Sequence, residues 1–463
     1  MEDLRNKKIL ILGLSKSGIS AAKYLSKKGA VCYITESNKN KLDDFDNKLE
    51  IIEDIKKYNI KLELGEHTEA FLKDSFFAVS SPGISTRLEI FKLLKKNNIK
   101  VISEVELAYI QTKTPFIGIT GTNGKTTTTM IVSHILSERY KAPVCGNIGI
   151  PPTSLIDMKN DFLVCELSSY QLALTERLKP EISCFLNFTP DHIDWHGSLD
   201  NYFLAKTKIF KGDQKPLLAI FSSVDQIVFE FGKSYLGKKF FFGSNLENQD
   251  CCFIKTINSI DWIVYKKDKN EENIIRLEDI KLVGDHNYQN IMVGIIVAKE
   301  LGLSNEEINS RIRTFNPVEH RIEFVKKIGN IEFYNDSKAT NPEASIVAIK
   351  SFPNKRVTLI AGGRDKNTDL TEFCKCIKEF ISDVILYGEA SERFYQNLKL
   401  NNYNNIYKVA NLEEAVRKSI EIGNEISLLS PACSSFDSFK NYEERGRKFK
   451  EYVIINAKEV SKT

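Results

Sequence analysis

The chain has 463 residues, too many for one hydrophobic core, and its length suggests about three domains. Its 65 basic and 61 acidic side chains leave a net charge of +4 with no long basic run, so nucleic-acid binding has no electrostatic support and small anions remain as partners. Nine cysteines with no C-x-x-C pair argue against a disulfide framework or a zinc site, and neither "MEDLRNKKILILGLSKSG" nor "IMVGIIVA" can span a bilayer; a cytoplasmic protein with reduced, buried thiols is expected.

The first segment reads as strand "KKILILGL", turn, helix "GISAAKYLSKKG" and strand "AVCYITES", a β-α-β unit. Its glycine pattern is Gly13-Leu14-Ser15-Lys16-Ser17-Gly18, with Ser15 where a dinucleotide fingerprint has the glycine that lets backbone approach a pyrophosphate. A nucleotide diphosphate held by the hydroxyls of Ser15 and Ser17 fits better than NAD. Glu36, with Ser37 beside it, ends the second strand near a ribose or base. "FFAVSSPGIS" then ends a strand in a Pro-Gly turn that leaves Gly83 free to lie against a ligand.

The second segment opens near Ser103 or just before Pro115 and carries "PFIGITGTNGKTTTTMIVSHIL", a strand, a glycine-rich turn and a helix. A strict P-loop would place its first glycine where Ile119 stands; here Gly118, Gly121 and Gly124 precede Lys125 and Thr126. The turn is therefore a variant, whose backbone N–H groups from Gly121 through Thr122, Asn123 and Gly124 to Thr127 form an anion nest, with Lys125 as a point charge at a helix N-terminus. Its natural guest is a polyphosphate. Glu166 ends the strand "FLVC" and would anchor the metal of a bound nucleotide with the Thr126 hydroxyl, against the alternative of a capping or ion-paired carboxylate.

Asp191 and His192 follow the strand "CFLNFT" on a ligand-facing loop. His192 and His196 are spaced to share a helical face as zinc ligands, but no third ligand matches, and a hydrogen-bonded structural histidine is an equal reading of His192. Lys206 in "FLAKTKIF" reads, alone, as a solvated helix lysine. Residues 214–284 form a β-rich extension without visible chemistry, and the helix "NYQNIMVGIIVAKELGL" leads to a segment end at Pro317. The third segment alternates strands "IEFYND", "RVTLIAGG", "DVILYG" and "ISLLS" with helices. Asn341-Pro342 caps one helix, so Asp336, Ser337 and Lys338 fall in a strand-to-helix loop. The Asn-rich "NNYNNIYK" at 401–408 reads as a surface loop, and no repeat is visible.

Together "GITGTNGKTTT", "CELSSYQL", "NFTPDHIDWHGS", "GDHNYQNIM", "VEHRIEFV", "YNDSKATNP" and "LLSPACSSFDSFKNYEERG" closely resemble the Mur ligases. The last, with "GLSKSG", resembles the member that adds D-glutamate to UDP-N-acetylmuramoyl-L-alanine in peptidoglycan precursor synthesis. The resemblance implies three α/β domains: a Rossmann-like domain for the UDP substrate (1–102), a central P-loop-type ATPase domain with the β-rich extension (103–316), and a Rossmann-like domain for the amino acid (317–463). It also implies ATP, two Mg²⁺ ions and a CO₂-derived carbamate on Lys206, with Thr126 and Glu166 holding one ion and His192 and Lys206 the other.

By the same resemblance Lys125, His192, Lys206 and Lys338 are catalytic. Asn287 and Asn290 match adenine contacts, Arg321 and Asp336 match ATP ribose and phosphate contacts, and Asn147 and Gly83 match UDP-sugar contacts. Lys366, Ser435, expected at the start of the helix after "ISLLSPAC", and Tyr442 match positions around the incoming amino acid. A monomer acting on small molecules, with neither nucleic acid nor membrane as partner, is the expectation. A folylpolyglutamate synthase would share the ATP chemistry but begins near its phosphate loop. A nucleotide switch would have no use for the extra carboxylate and histidine elements.

Overall fold

The sequence builds three sheets in a computed structural model that describes residues 3–45, 47–211, 216–282, 284–316, 319–365 and 367–460. Lys366 and the boundary residue Pro317 lie outside the described residues. Four consecutive residues of the strand Lys8–Leu12 are buried, as in a parallel strand covered on both faces. Its sheet is wholly parallel, in the order Lys61–Leu64, Val31–Glu36, Lys8–Leu12, Phe77–Ser80, Val101–Ser103. The order reverses between Lys8–Leu12 and Phe77–Ser80, and ligands of doubly wound sheets bind beyond the carboxyl ends of such a pair. Gly13, Ser15 and Gly83 lie there.

The middle sheet has nine strands. Its phosphate-loop strand, Phe116–Thr120, lies between Leu163–Glu166 and Ile182–Phe185, with Ile119 in register with Glu166. The β-rich region is an extension of this same sheet: Leu218–Ser222, Lys239–Gly243 and Cys251–Ile257 add in parallel, and Ile260–Lys267 and Asn270–Arg276 close the edge antiparallel. Phe185, Phe210, Phe221 and Phe241 pack beneath it in one aromatic core.

The third sheet runs Glu323–Ile328, Ile331–Asn335, Ile426–Leu429, Val357–Gly362, Asp383–Tyr387, Ile406–Lys408, with only its first pair antiparallel. Asn341 caps the helix Pro342–Ile349 by accepting the Ala344 N–H, as expected. The Asn-rich stretch corrects the surface-loop reading: it contributes the edge strand Ile406–Lys408, and Tyr403 is buried with its hydroxyl donating to the Ile381 carbonyl at 3.1 Å. All nine cysteines are buried thiols. Among the described residues no helix is long and apolar enough to cross a membrane.

The chain divides into two compact units, Met1–Leu277 with Gln289–Ile312, and Glu278–Tyr288 with Arg313–Thr463. Within the first, the two sheets are joined at the helix Glu104–Gln111, which Ser103 caps. The Glu104 carboxylate accepts the Thr153 N–H and hydroxyl at 2.7 and 2.5 Å, and Thr153 meets Ser20 of the first sheet's helix at 2.8 Å. Burial pushes Glu104 up to about 7 against those bonds.

A raised carboxyl makes the folded state hold more protons, so stability falls as pH rises from the unfolded value, about 4.3, to about 7. At about 1.4 kcal/mol per pH unit the ionised group costs on the order of 4 kcal/mol above that range. Glu104→Gln keeps an acceptor without the charge. Urea titrations at pH 5.5 and 8 should show wild type losing stability between them and the variant losing less, making it the more stable protein at pH 8.

Candidate active site

The phosphate loop is shaped by Gly124, whose φ of +80° begins the helix Lys125–Leu136; a Cβ there would lie 2.8 Å from Asn290 Oδ1. Asn290 is buried and accepts the Thr128 hydroxyl at 2.9 Å. Asn187 braces the loop, its Oδ1 accepting the N–H groups of Thr122 and Asn123 at 3.0 and 2.8 Å while its Nδ2 donates to the Asn123 carbonyl at 3.1 Å. The sequence reading missed Asn187. Its signal was an amide within "CFLNFT", two residues past the strand Ile182–Phe185 that neighbours the phosphate-loop strand.

Two lysines converge on one carbonyl. Lys125 Nζ donates to the Gly121 and Thr122 carbonyls at 2.9 and 2.7 Å, and Lys206 Nζ donates to Gly121 at 2.7 Å. Lys206 is not the solvated helix lysine its local sequence suggests: it is 1 % exposed. Burial first, and the charge of Lys125 second, hold its amine well below the usual lysine range. Tyr202, one turn earlier on the helix Leu199–Thr207, lays its ring 4.6 Å from that nitrogen and shares a 3.1 Å hydrogen bond with the Thr122 hydroxyl. Tyr202 was also missed, though its i, i+4 spacing from Lys206 was available.

Glu166 is buried, and its two oxygens accept from Thr126 Oγ1 at 2.8 Å and Asn147 Nδ2 at 2.9 Å. Both donors are neutral, and no described cation pairs directly with this carboxylate. Thr127 is buried in the first turn of the phosphate-loop helix.

His192 is exposed, with φ +54°, at the start of the one-turn helix Ile193–His196. It meets Asp191 at 3.3 Å and lies 4.9 Å from the Tyr170 ring. The zinc pairing of His192 with His196 is corrected: His196 is buried and its Nε2 is hydrogen-bonded to Ser169 at 2.9 Å.

At the first sheet, Ser15 Oγ accepts the Gly18 N–H at 3.1 Å and meets Ser81 at 2.8 Å and Ser17 at 2.9 Å. Glu36 accepts the Leu14 N–H at 3.1 Å, the Asn38 N–H at 2.9 Å and the Ser37 hydroxyl at 3.3 Å. The structure thus joins these two turns. Gly83, at φ +88°, has open space where a Cβ would be.

In the second unit, Asp336 is buried with the Ser430 hydroxyl donating at 2.7 Å. Burial raises its carboxyl to about 7, while Ser430 and the Arg321 charge act in the opposite direction. Lys338 holds its ammonium 5.1 Å from the Tyr442 ring. Asn287 is buried in the first turn of the helix Asp285–Glu300.

Ser435 is buried, but the helix start expected for it is corrected. The carboxyl-terminal helix begins only at Tyr442, and the Ser435 carbonyl instead accepts the Ser438 and Phe439 N–H groups in an irregular segment. Arg445 was missed and had no local signal. It is fully buried and ties this segment to the Lys338 loop, donating to the Cys433 carbonyl at 3.0 Å and to the Ser337 hydroxyl and carbonyl at 2.9 and 2.7 Å. Glu319, His320 and Glu323 gather ligand atoms within 4.8 Å, yet the Lys450 ammonium bridges both carboxylates at 2.6 and 2.9 Å and serves as their counter-ion.

Three family models match in succession: the MurD-like N-terminal domain of Mur ligases at residues 7–103, the Mur ligase middle domain at 119–298, and the Mur ligase glutamate ligase domain at 320–433. The UDP-N-acetylmuramoylalanine--D-glutamate ligase of Caldanaerobacter subterraneus is 37% identical over 98% of this chain and 99% of its own. That of Clostridioides difficile is 36% identical over 97% and 99%. Among solved structures, the Thermotoga maritima MurF ligase in complex with ADP is similar at TM-score 0.61 and 17% identity, covering 100% of both chains. The MurC of the same organism follows at 0.59 and 18%, covering 97% of this chain and 99% of its own. The two structures speak for the fold alone, but the full-length identity and the three consecutive domain matches place the chain in the Mur ligase family.

Proposed function

We propose that this chain joins D-glutamate to the carboxylate of UDP-N-acetylmuramoyl-L-alanine at the expense of ATP, giving an amide, ADP and phosphate. The observation that carries the reading is the end-to-end identity with ligases of that name, 37% over 98% of the chain in one case. Residues 1–102 take the UDP end through Ser15, Ser17, Glu36, Ser37 and Gly83, with Asn147 at the sugar. Residues 103–316 take ATP, and 317–463 the amino acid through Ser435, Tyr442 and Lys366.

The substrate carboxylate attacks the γ-phosphorus of ATP, ADP leaves, and an acyl phosphate forms. The amine of D-glutamate, as the free base, then attacks the acyl carbon and phosphate departs. Attack brings two anions together, so the site must concentrate positive charge. Lys125 lies at the mouth of an anion nest, and Lys338 supplies a second cation; Arg321, Asp336, Asn287 and Asn290 fix the nucleotide.

The residues present fit Mg²⁺. Glu166 is a buried carboxylate whose direct partners among the described residues, Thr126 and Asn147, are neutral, a donor set suited to a divalent cation. Mg²⁺ bound there and at His192 with Lys206 would neutralise charge on the phosphates during transfer. Lys206 fits the second position as a carbamate. Burial and the Lys125 charge lower its pKa and so favour the neutral amine, the form that adds CO₂, releasing one proton and leaving an anionic oxygen pair.

Protein mixed with Mg-ATP, bicarbonate and UDP-N-acetylmuramoyl-L-alanine should release phosphate with D-glutamate and stay at background with L-glutamate, D-alanine or meso-diaminopimelate. A site built around buried polar partners rejects ligands that leave them unpaired. Equal release with L-glutamate, or preference for a folate acceptor, would overturn the reading.

A further inference from the structure

His196 does not point toward the solvent-facing loop that carries His192; it lies beneath it. Its imidazole Nε2 is bonded to Ser169 Oγ at 2.9 Å, and Ser169 opens the short helix that follows Glu166 by three residues. Its backbone N–H donates to the His192 carbonyl at 3.0 Å, closing the one turn that starts at His192. Its own carbonyl accepts Asn201 Nδ2 at 3.0 Å, from the first turn of the helix Leu199–Thr207 that carries Lys206. One buried residue therefore bonds all three segments that bring Glu166, His192 and Lys206 together.

The aromatic packing reinforces this. The Tyr170 ring stacks on His196 at 5.8 Å and 9° while its centroid is 4.9 Å from that of His192, so one ring spaces the two imidazoles. Trp195 packs on both Tyr170 and His196, at 4.9 and 4.5 Å. Next in the chain, Gly197 turns with φ +83°, a left-handed backbone that a side chain would strain, so the end of the turn favours glycine.

We propose that His196, through its hydrogen bond to Ser169, is the positioning residue that sets the distance between the two divalent-cation positions of this site. It touches neither cation nor substrate. The inference rests on the assignment of Glu166, His192 and Lys206 as metal ligands. Partners that orient metal ligands typically carry about ten- to a hundredfold in metal affinity.

The test uses the full chain with Mn²⁺, bicarbonate and a non-hydrolysable ATP analogue, reading ion stoichiometry and, by pulsed electron paramagnetic resonance, the nitrogen coupling of a bound imidazole. Wild type should bind two ions, one of them coupled to nitrogen. In His196→Ala and Ser169→Ala the first ion should bind as before, the second at least about tenfold more weakly, with the nitrogen coupling lost. His196→Gln, whose Nε2 reaches the same place, should recover most of it. Ser169→Ala removes only the hydrogen bond, so it decides the matter if His196→Ala does not fold. Two ions bound as in wild type with coupling intact in Ser169→Ala would overturn the role of the His196–Ser169 bond. Absence of nitrogen coupling in wild type would instead overturn His192 as a ligand, the reading on which the inference stands.

Discussion

Lys125→Ala should lower ligation by about four orders of magnitude while leaving the fold and the affinity for the UDP substrate close to wild type. Single cations that act on a transferring phosphoryl group are worth about 10³–10⁵ in rate, because charge spreads onto its oxygens only in the transition state. Lys125 is placed for that work. Its ammonium lies on the Gly121 and Thr122 carbonyls, in the loop that Asn187 braces by accepting the Thr122 and Asn123 N–H groups. Its removal should not collapse the loop, since Asn187 binds Thr122 and Asn123 without it and Gly124 still starts the helix. Single-turnover acyl phosphate formation, measured beside binding of a labelled ATP analogue, separates lost chemistry from lost binding. Turnover within tenfold of wild type would remove Lys125 from the mechanism.

The phosphate loop was legible because strand, glycines, Lys-Thr and helix are contiguous, so local geometry carried the signal. Lys206 was not. Its depressed amine comes from burial first and from the charge of Lys125, distant in the chain, second, and no window of sequence contains both. Without the family resemblance it would have remained a surface lysine. His196 failed in the opposite sense: helical spacing put two imidazoles on one face, but His192 sits in the left-handed region at the helix start, and His196 turns inward to Ser169.

The errors in the third segment have similar causes. Ile406–Lys408 became a strand because it pairs with Asp383–Tyr387, a long-range contact that Asn-rich composition obscures. Ser435 missed its helix because Ala432 takes a φ of +58° and the chain stays irregular until Tyr442, held meanwhile by the Arg445 guanidinium. A buried arginine bonded to carbonyls and a hydroxyl leaves no pattern in sequence. The three α/β segments needed only strand and helix alternation, so they were readable apart from the edge strand Ile406–Lys408; the bonds that aim the side chains were readable only where they are local.

Lys206→Ala should lower turnover by about three orders of magnitude, and added acetate or formate should restore part of it. Loss of one divalent-cation position removes several kcal/mol of charge stabilisation, on the order of 10³ in rate. Rescue follows from the proposed carbamate, which makes the missing group an oxygen pair rather than an ammonium: the cavity left by the side chain opens beside Gly121 and under the Tyr202 ring, and a small carboxylate can place its oxygens there. An amine such as methylammonium would refill the cavity with the wrong charge and should not rescue. The wild-type enzyme offers a matching signature. Since the proposed carbamate would form from CO₂ and the neutral amine, enzyme freed of CO₂ should lose turnover and regain it on addition of bicarbonate, and ¹³C-bicarbonate should give a carbamate carbon resonance that Lys206→Ala lacks. Wild-type turnover indifferent to CO₂, together with rescue of the variant by methylammonium, would make Lys206 a simple cation and leave the second ion to other ligands.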